Sequence, residues 1–112
     1  MRSISKAEID ENWSKLLKEY RLKAGYTQEQ LSEIVGISDK YISRIERAKD
    51  GIKTQTLIKY INVLGITPNT IYKEFIDNPS VKESIELSEK LDTLSEEKKL
   101  FISSIIDLLK TL

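Results

Sequence analysis

The chain has no cysteine and no histidine. The first absence excludes disulfides and thiol chemistry and fits a reducing compartment. The second removes zinc sites and histidine-based catalytic triads. No apolar run approaches the roughly 20 residues needed to cross a bilayer. The opening segment, Met1-Arg2-Ser3-Ile4-Ser5-Lys6, lacks the apolar core of a secretory signal. A cytoplasmic address away from any membrane is therefore expected. There is also no phosphate-cradling glycine loop and no evident paired-carboxylate cleft, so neither catalysis, a metal nor a cofactor is expected. Excess charge is missing too: 18 Lys+Arg balance 18 Asp+Glu, which does not favour tight binding to polyanions in general.

What remains is a 112-residue chain with 39% hydrophobic and 32% charged residues, suited to one well-solvated domain or a small domain with an appendage. The pattern is helical throughout, and strand alternation is nowhere convincing. Ser5 and Glu8 form a candidate capping box opening a first helix to about Ala24, with Ile9, Trp13, Leu16, Leu17 and Tyr20 as its apolar stripe and Gly25 closing it. Thr54 is a candidate cap for a fourth helix with Leu57, Ile61 and Leu64 inward, and Gly65 stops it. Thr67-Pro68 starts a short fifth helix through Ile71 and Phe75. Asn78-Pro79-Ser80 marks the expected boundary, dividing the chain into 1–77 and 78–112. Beyond it, Ser80 and Glu83 suggest a capping box for a weakly amphipathic helix. Thr93 or Ser95 begins a last one. There Phe101, Ile102, Ile105, Ile106, Leu108, Leu109 and Leu112 span an arc of roughly 160°. So wide a stripe must bury against the preceding helix, the core domain or a second chain.

Between the first and fourth helices lies the densest stretch of signals, Thr27 to Glu46. Thr27 and Gln30 have capping-box spacing, and Leu31, Ile34 and Val35 share a face. Gly36 suits a positive φ, and Ser38 caps the next helix. In that helix Ile42 and Ile45 point inward while Asp39, Lys40, Ser43, Arg44 and Arg47 point elsewhere. A short exposed helix held by another is the geometry that enters the DNA major groove. The charge distribution agrees locally. Residues 1–77 carry 13 Lys+Arg against 11 Asp+Glu, and 78–112 carry 5 against 7. Within 40–53, Lys40, Arg44, Arg47, Lys49 and Lys53 face only Glu46 and Asp50.

From Trp13 to Phe75 the chain resembles the phage repressor/Cro-type (XRE-type) helix-turn-helix family. The resemblance rests on Tyr20-Arg21, Ala24-Gly25-Tyr26-Thr27-Gln28, Gln30-Leu31, Val35-Gly36-Ile37-Ser38, Tyr41-Ile42-Ser43-Arg44-Ile45-Glu46-Arg47, Leu57 and Leu64-Gly65-Ile66. It implies an all-α fold, a five-helix repressor-like helix-turn-helix domain followed here by two C-terminal helices. It also implies a transcriptional regulator that binds double-stranded DNA as a homodimer on an operator with two half-sites.

Carried over residue by residue, Asp39, Lys40 and Arg44 would face base edges, since Lys or Arg donates to guanine O6/N7 and Asp accepts from cytosine N4. Ser43 either bonds a base or phosphate or is merely small where the groove wall comes close. Thr27 and Gln28 would meet a phosphate at the start of the second helix. Arg47, Lys49 and Lys53 would grip the DNA backbone. Tyr41 either reaches a phosphate or thymine methyl or leans over the core. Arg21 and Glu46 would form a structural ion pair. Phe101, Ile105, Leu108, Leu109 and Leu112 would mediate oligomerisation, or bind a protein partner if the chain is an antitoxin or anti-repressor. Ala48 departs from the family's usual glycine, leaving Gly51 to stop the third helix almost a turn later. Ser32 replaces the usual alanine.

Overall fold

Ser5 accepts a hydrogen bond from the Glu8 amide at 3.1 Å, and with that cap the first helix, α1 (Lys6–Lys23), begins. The computed structural model describes residues 3–112. Met1 and Arg2, at the head of the segment read for a secretory signal, lie outside the described residues. Six further helices follow: α2 (Gln28–Val35), α3 (Asp39–Glu46), α4 (Thr54–Leu64), α5 (Pro68–Tyr72), α6 (Pro79–Asp92) and α7 (Glu96–Leu109). No strand occurs among the described residues, so the fold is all-α, five helices and then two. No helix among them is long and apolar enough to cross a membrane.

The chain divides into two compact units, the first ending at Phe75 and the second covering Ile76–Leu112. In the first, α3 packs on α1 and α2, and α4 packs on the same two helices. Leu17, Leu31, Val35, Ile42, Ile45, Leu57, Tyr60, Ile66 and Ile71 form its buried core. Trp13 lies at the margin of that core. Its indole N–H donates to the Ile71 carbonyl at 2.9 Å and its ring meets Tyr72 edge to face. Ile34 is half exposed, not inward, because the i,i+4 pair Leu31 and Val35 takes the core-facing direction. In α4 the deepest residues are Thr56, Leu57 and Tyr60, with Ile61 and Leu64 only partly covered.

Several boundaries differ from expectation. Thr54 does not cap α4. Lys53 is the extended residue before it, and no side chain caps that helix. The fifth helix ends at Tyr72 and passes into a 3₁₀ turn, Lys73–Phe75. Asn78, not Ser80, caps α6, accepting from the Ser80 and Val81 amides at 3.0 and 3.1 Å with Pro79 as the first helical residue. Of the two candidate starts for α7, Ser95 is the cap, while the Thr93 hydroxyl donates back to the Lys90 carbonyl.

The second unit buries little. No side chain of α6 or α7 is fully buried, and Phe101, Leu108 and Leu109 are more than half exposed. Ser88, Leu91, Lys99, Ile102 and Ile106 line a shallow groove between the two helices.

The end of α3 also corrects the sequence reading. Helix three stops at Glu46, and Ala48 itself takes the left-handed conformation, φ 55°. The Lys49 amide reaches back to the Arg44 carbonyl at 2.8 Å and the Ala48 amide to Ile45 at 3.0 Å, the paired bonds of a Schellman turn. Gly51 is not left-handed. Its lack of a side chain matters instead because a Cβ there would lie 2.9 Å from Lys6 Nζ. An L-residue in the left-handed region costs about 1–2 kcal/mol, partly offset by glycine's greater freedom when unfolded. Ala48→Gly is therefore expected to stabilise the protein by about 1 kcal/mol, measured by chemical denaturation.

Candidate nucleic-acid interface

The turn between α2 and α3 is built entirely from local bonds. Thr27 Oγ1 accepts from the Gln30 amide at 3.0 Å while the Thr27 amide donates to Gln30 Oε1 at 2.9 Å. Gly36, φ 71°, ends α2, and its amide donates to the Ser32 carbonyl. The Ser32 hydroxyl donates to the Glu29 carbonyl at 2.7 Å, which satisfies its polar atom within the helix. Ser38 caps α3 through the Tyr41 amide at 3.1 Å. With both ends thus determined, α3 buries Ile42 and Ile45 and turns Asp39, Lys40, Arg44 and Arg47 outward. Ser43 is half-buried at the edge of that face.

Arg21 anchors α3 from α1. Its Nε donates to Glu46 Oε2 at 2.7 Å and its Nη2 to Oε1 at 2.8 Å, while Nη1 donates to the Tyr26 carbonyl at 2.8 Å. The side chains are 8% and 2% exposed, so the pair is desolvated. The hydrogen bonds to Glu46 hold the guanidinium above its already high ordinary pKa. Tyr60 lies in the core below, and burial pushes its phenol well above the usual tyrosine range.

Two of the side chains expected at phosphates make bonds within the protein. Gln28 donates through Nε2 to Glu46 Oε1 at 3.3 Å, joining the start of α2 to the same ion pair. The Tyr41 hydroxyl accepts from the Lys53 amide at 3.0 Å and donates to the Gly51 carbonyl at 3.4 Å. These bonds clamp the loop between α3 and α4. Thr27 remains exposed at the mouth of α2.

Arg44 is exposed as expected but not alone. Asp50, which the sequence reading counted only as an opposing charge, accepts from Arg44 Nε at 2.7 Å and from Nη2 at 3.1 Å. Arg44's bonds depress the Asp50 carboxyl below the usual carboxylate range, with the Lys6 charge assisting. Because the folded value lies below the unfolded one, the pair's contribution is complete above the ordinary carboxylate range. It disappears as pH falls through the depressed value. A pair that straddles a helix end at a spacing of six residues leaves no periodic trace in sequence, which is why spacing alone did not reveal it. Lys40, Arg47, Lys49 and Lys53 stay exposed without an ion pair among the described residues. Arg47 Nε donates to the Ser43 carbonyl at 3.3 Å. The surface therefore presents four unpaired cations and one half-neutralised arginine around a short outward helix. No cluster of acidic, histidine or cysteine residues able to hold a metal occurs among the described residues.

Breaking a buried ion pair from one side costs about 3–5 kcal/mol, whereas replacing both partners by apolar groups of similar size is often near neutral. Arg21→Met is thus expected to destabilise the fold by about 3 kcal/mol. Adding Glu46→Leu should restore most of that loss, measured by urea unfolding of the single and double variants.

Comparison with known proteins agrees with this geometry. The family described as "Helix-turn-helix" matches residues 17–71. The HTH-type transcriptional regulator ImmR of Bacillus subtilis (strain 168) is 34% identical over 76 residues, covering 68% of this chain and 58% of that protein. The chain thus spans little more than half the length of that curated relative. A chain from the SinR protein/SinI protein complex shares the fold at 23% identity and a TM-score of 0.50, over 88% of this chain and 98% of that one. With the capped helix pair, the buried Arg21–Glu46 bond and these likenesses in hand, the chain is assigned to the XRE-type helix-turn-helix family.

Proposed function

We propose that the protein is a sequence-specific DNA-binding transcriptional regulator, a repressor acting as a homodimer on an operator with two half-sites. The observation that carries this reading is the presentation of α3. Ile42 and Ile45 are buried, the helix is fixed from behind by Arg21, and Lys40 and Arg44 stand outward with Asp39 and Ser43 beside them. Lys40 and Arg44 read guanines and Asp39 a cytosine. Arg47, Lys49 and Lys53 supply backbone contacts from the loop after α3, and Thr27 faces a phosphate at the start of α2. The regulator family of the 34% identical relative supports the same reading.

Selection of bound duplexes from a random library tests it directly. A preferred sequence should emerge, and Arg44→Ala should weaken binding to it by about ten- to a hundredfold and relax the preference at one base pair. If each subunit touches four phosphates, log K should fall against log salt with a slope of about −7 per dimer. No preference in the wild-type library would remove the reading.

A second role is favoured by one observation, the exposed Phe101, Ile105, Leu108, Leu109 and Leu112 of the last helix and tail. Under the leading reading this face joins two copies of the chain. Under the alternative it takes another protein, as an antitoxin or anti-repressor would. Deleting 80–112 separates them. The homodimer reading expects a monomer by light scattering with operator affinity lost. The alternative expects unchanged oligomeric state and intact DNA binding.

A further inference from the structure

Arg44 and Asp50 meet edge to edge. The carboxylate occupies the Nε/Nη2 side of the guanidinium and leaves the Nη1/Nη2 end without another bond among the described residues. The aspartate arrives there on a loop held at several points. The Lys49 and Asp50 amides both turn back to the Arg44 carbonyl, the Tyr41 hydroxyl bridges Gly51 and Lys53, and Gly51 sits against Lys6 and Asp10. Stability does not explain the pair, because an ion pair with side chains 51% and 39% exposed contributes little to folding. Its consequences are for charge and orientation. A guanidinium bonded along one edge is biased toward one orientation, and its free end keeps the two parallel donors that match guanine O6 and N7. The adjacent carboxylate also cancels the charge by which a free arginine attracts any phosphate.

We propose that Asp50 is a specificity-determining positioning residue. It holds Arg44 by one edge, presents the other edge to a guanine, and suppresses binding to DNA of unrelated sequence. This rests on the reading of α3 as the base-contacting helix, and it adds a residue that itself touches no base.

The test uses the full chain with Asp50→Asn, Asp50→Ala and Asp50→Glu. The probes are the duplex selected by the wild-type protein and a scrambled duplex of the same length. Asp50→Asn and Asp50→Ala should bind the scrambled duplex on the order of fivefold more tightly, with a salt slope steeper by about one per subunit. The ratio of selected to scrambled affinity should fall on the order of tenfold, with the loss concentrated at the base pair that Arg44→Ala also relaxes. Asp50→Glu, which keeps the charge and can still bond the guanidinium, should recover part of the ratio. Thermal unfolding of each variant identifies any change that is merely structural. An unchanged ratio in Asp50→Asn and Asp50→Ala, while Arg44→Ala still relaxes one base pair, overturns this proposal and leaves the reading of α3 standing. Absence of any selected duplex for the wild-type chain overturns both.

Discussion

The first unit depends on the desolvated bond between Arg21 and Glu46. Glu46 is the last residue of α3, where the helix dipole disfavours a carboxylate, and its side chain is almost wholly removed from water. A bidentate guanidinium meets both penalties. That same guanidinium reaches the Tyr26 carbonyl, and Gln28 adds a bond to Glu46, so α1, the entry to α2 and the end of α3 converge on one charge pair. An eight-residue helix has little stability of its own. Ile42 and Ile45 hold α3 to the core by apolar burial, which is tolerant of rotation, while the bidentate bond is directional and sets the angle at which the outer face is shown.

Two arginine–carboxylate pairs of the same edge-on geometry therefore lie at the two sides of α3 with opposite characters. Arg21–Glu46 is dry, strong when intact and costly to break from one side. Arg44–Asp50 is wet, contributes little to folding, and leaves one edge of its guanidinium toward solvent. The loop between α3 and α4, clamped by Tyr41 and entered through the left-handed Ala48, gives the second pair its geometry.

The second unit has a different balance. Its helices are well begun, with Asn78 and Ser95 as caps, but they cover few apolar side chains. A face containing Phe101, Leu108 and Leu109 in water is unfavourable at roughly 25 cal/mol per Å² of apolar area. The physics of that face favours association, in keeping with the dimeric regulator proposed above.

Much of the helical layout was legible in the sequence because its causes lie within about four residues of their effects. Ser5, Thr27, Ser38 and Thr67 cap helices through bonds to the third residue on, and Gly36 and Gly65 end theirs by adopting positive φ. The family's ordered motif extended this to Arg21 and Glu46, a pair no local rule would have joined. Tertiary structure decided the rest. Ala48 takes a glycine's conformation because the Schellman bonds and the packed loop outweigh its strain. Tyr60 is wholly buried, Tyr41 ties a loop, and Asp50 holds Arg44, each through contacts in space that neither helical periodicity nor capping chemistry records. Local chemistry determines where a helix starts and stops, whereas the partner a polar side chain finds depends on which distant segments the folded core brings beside it.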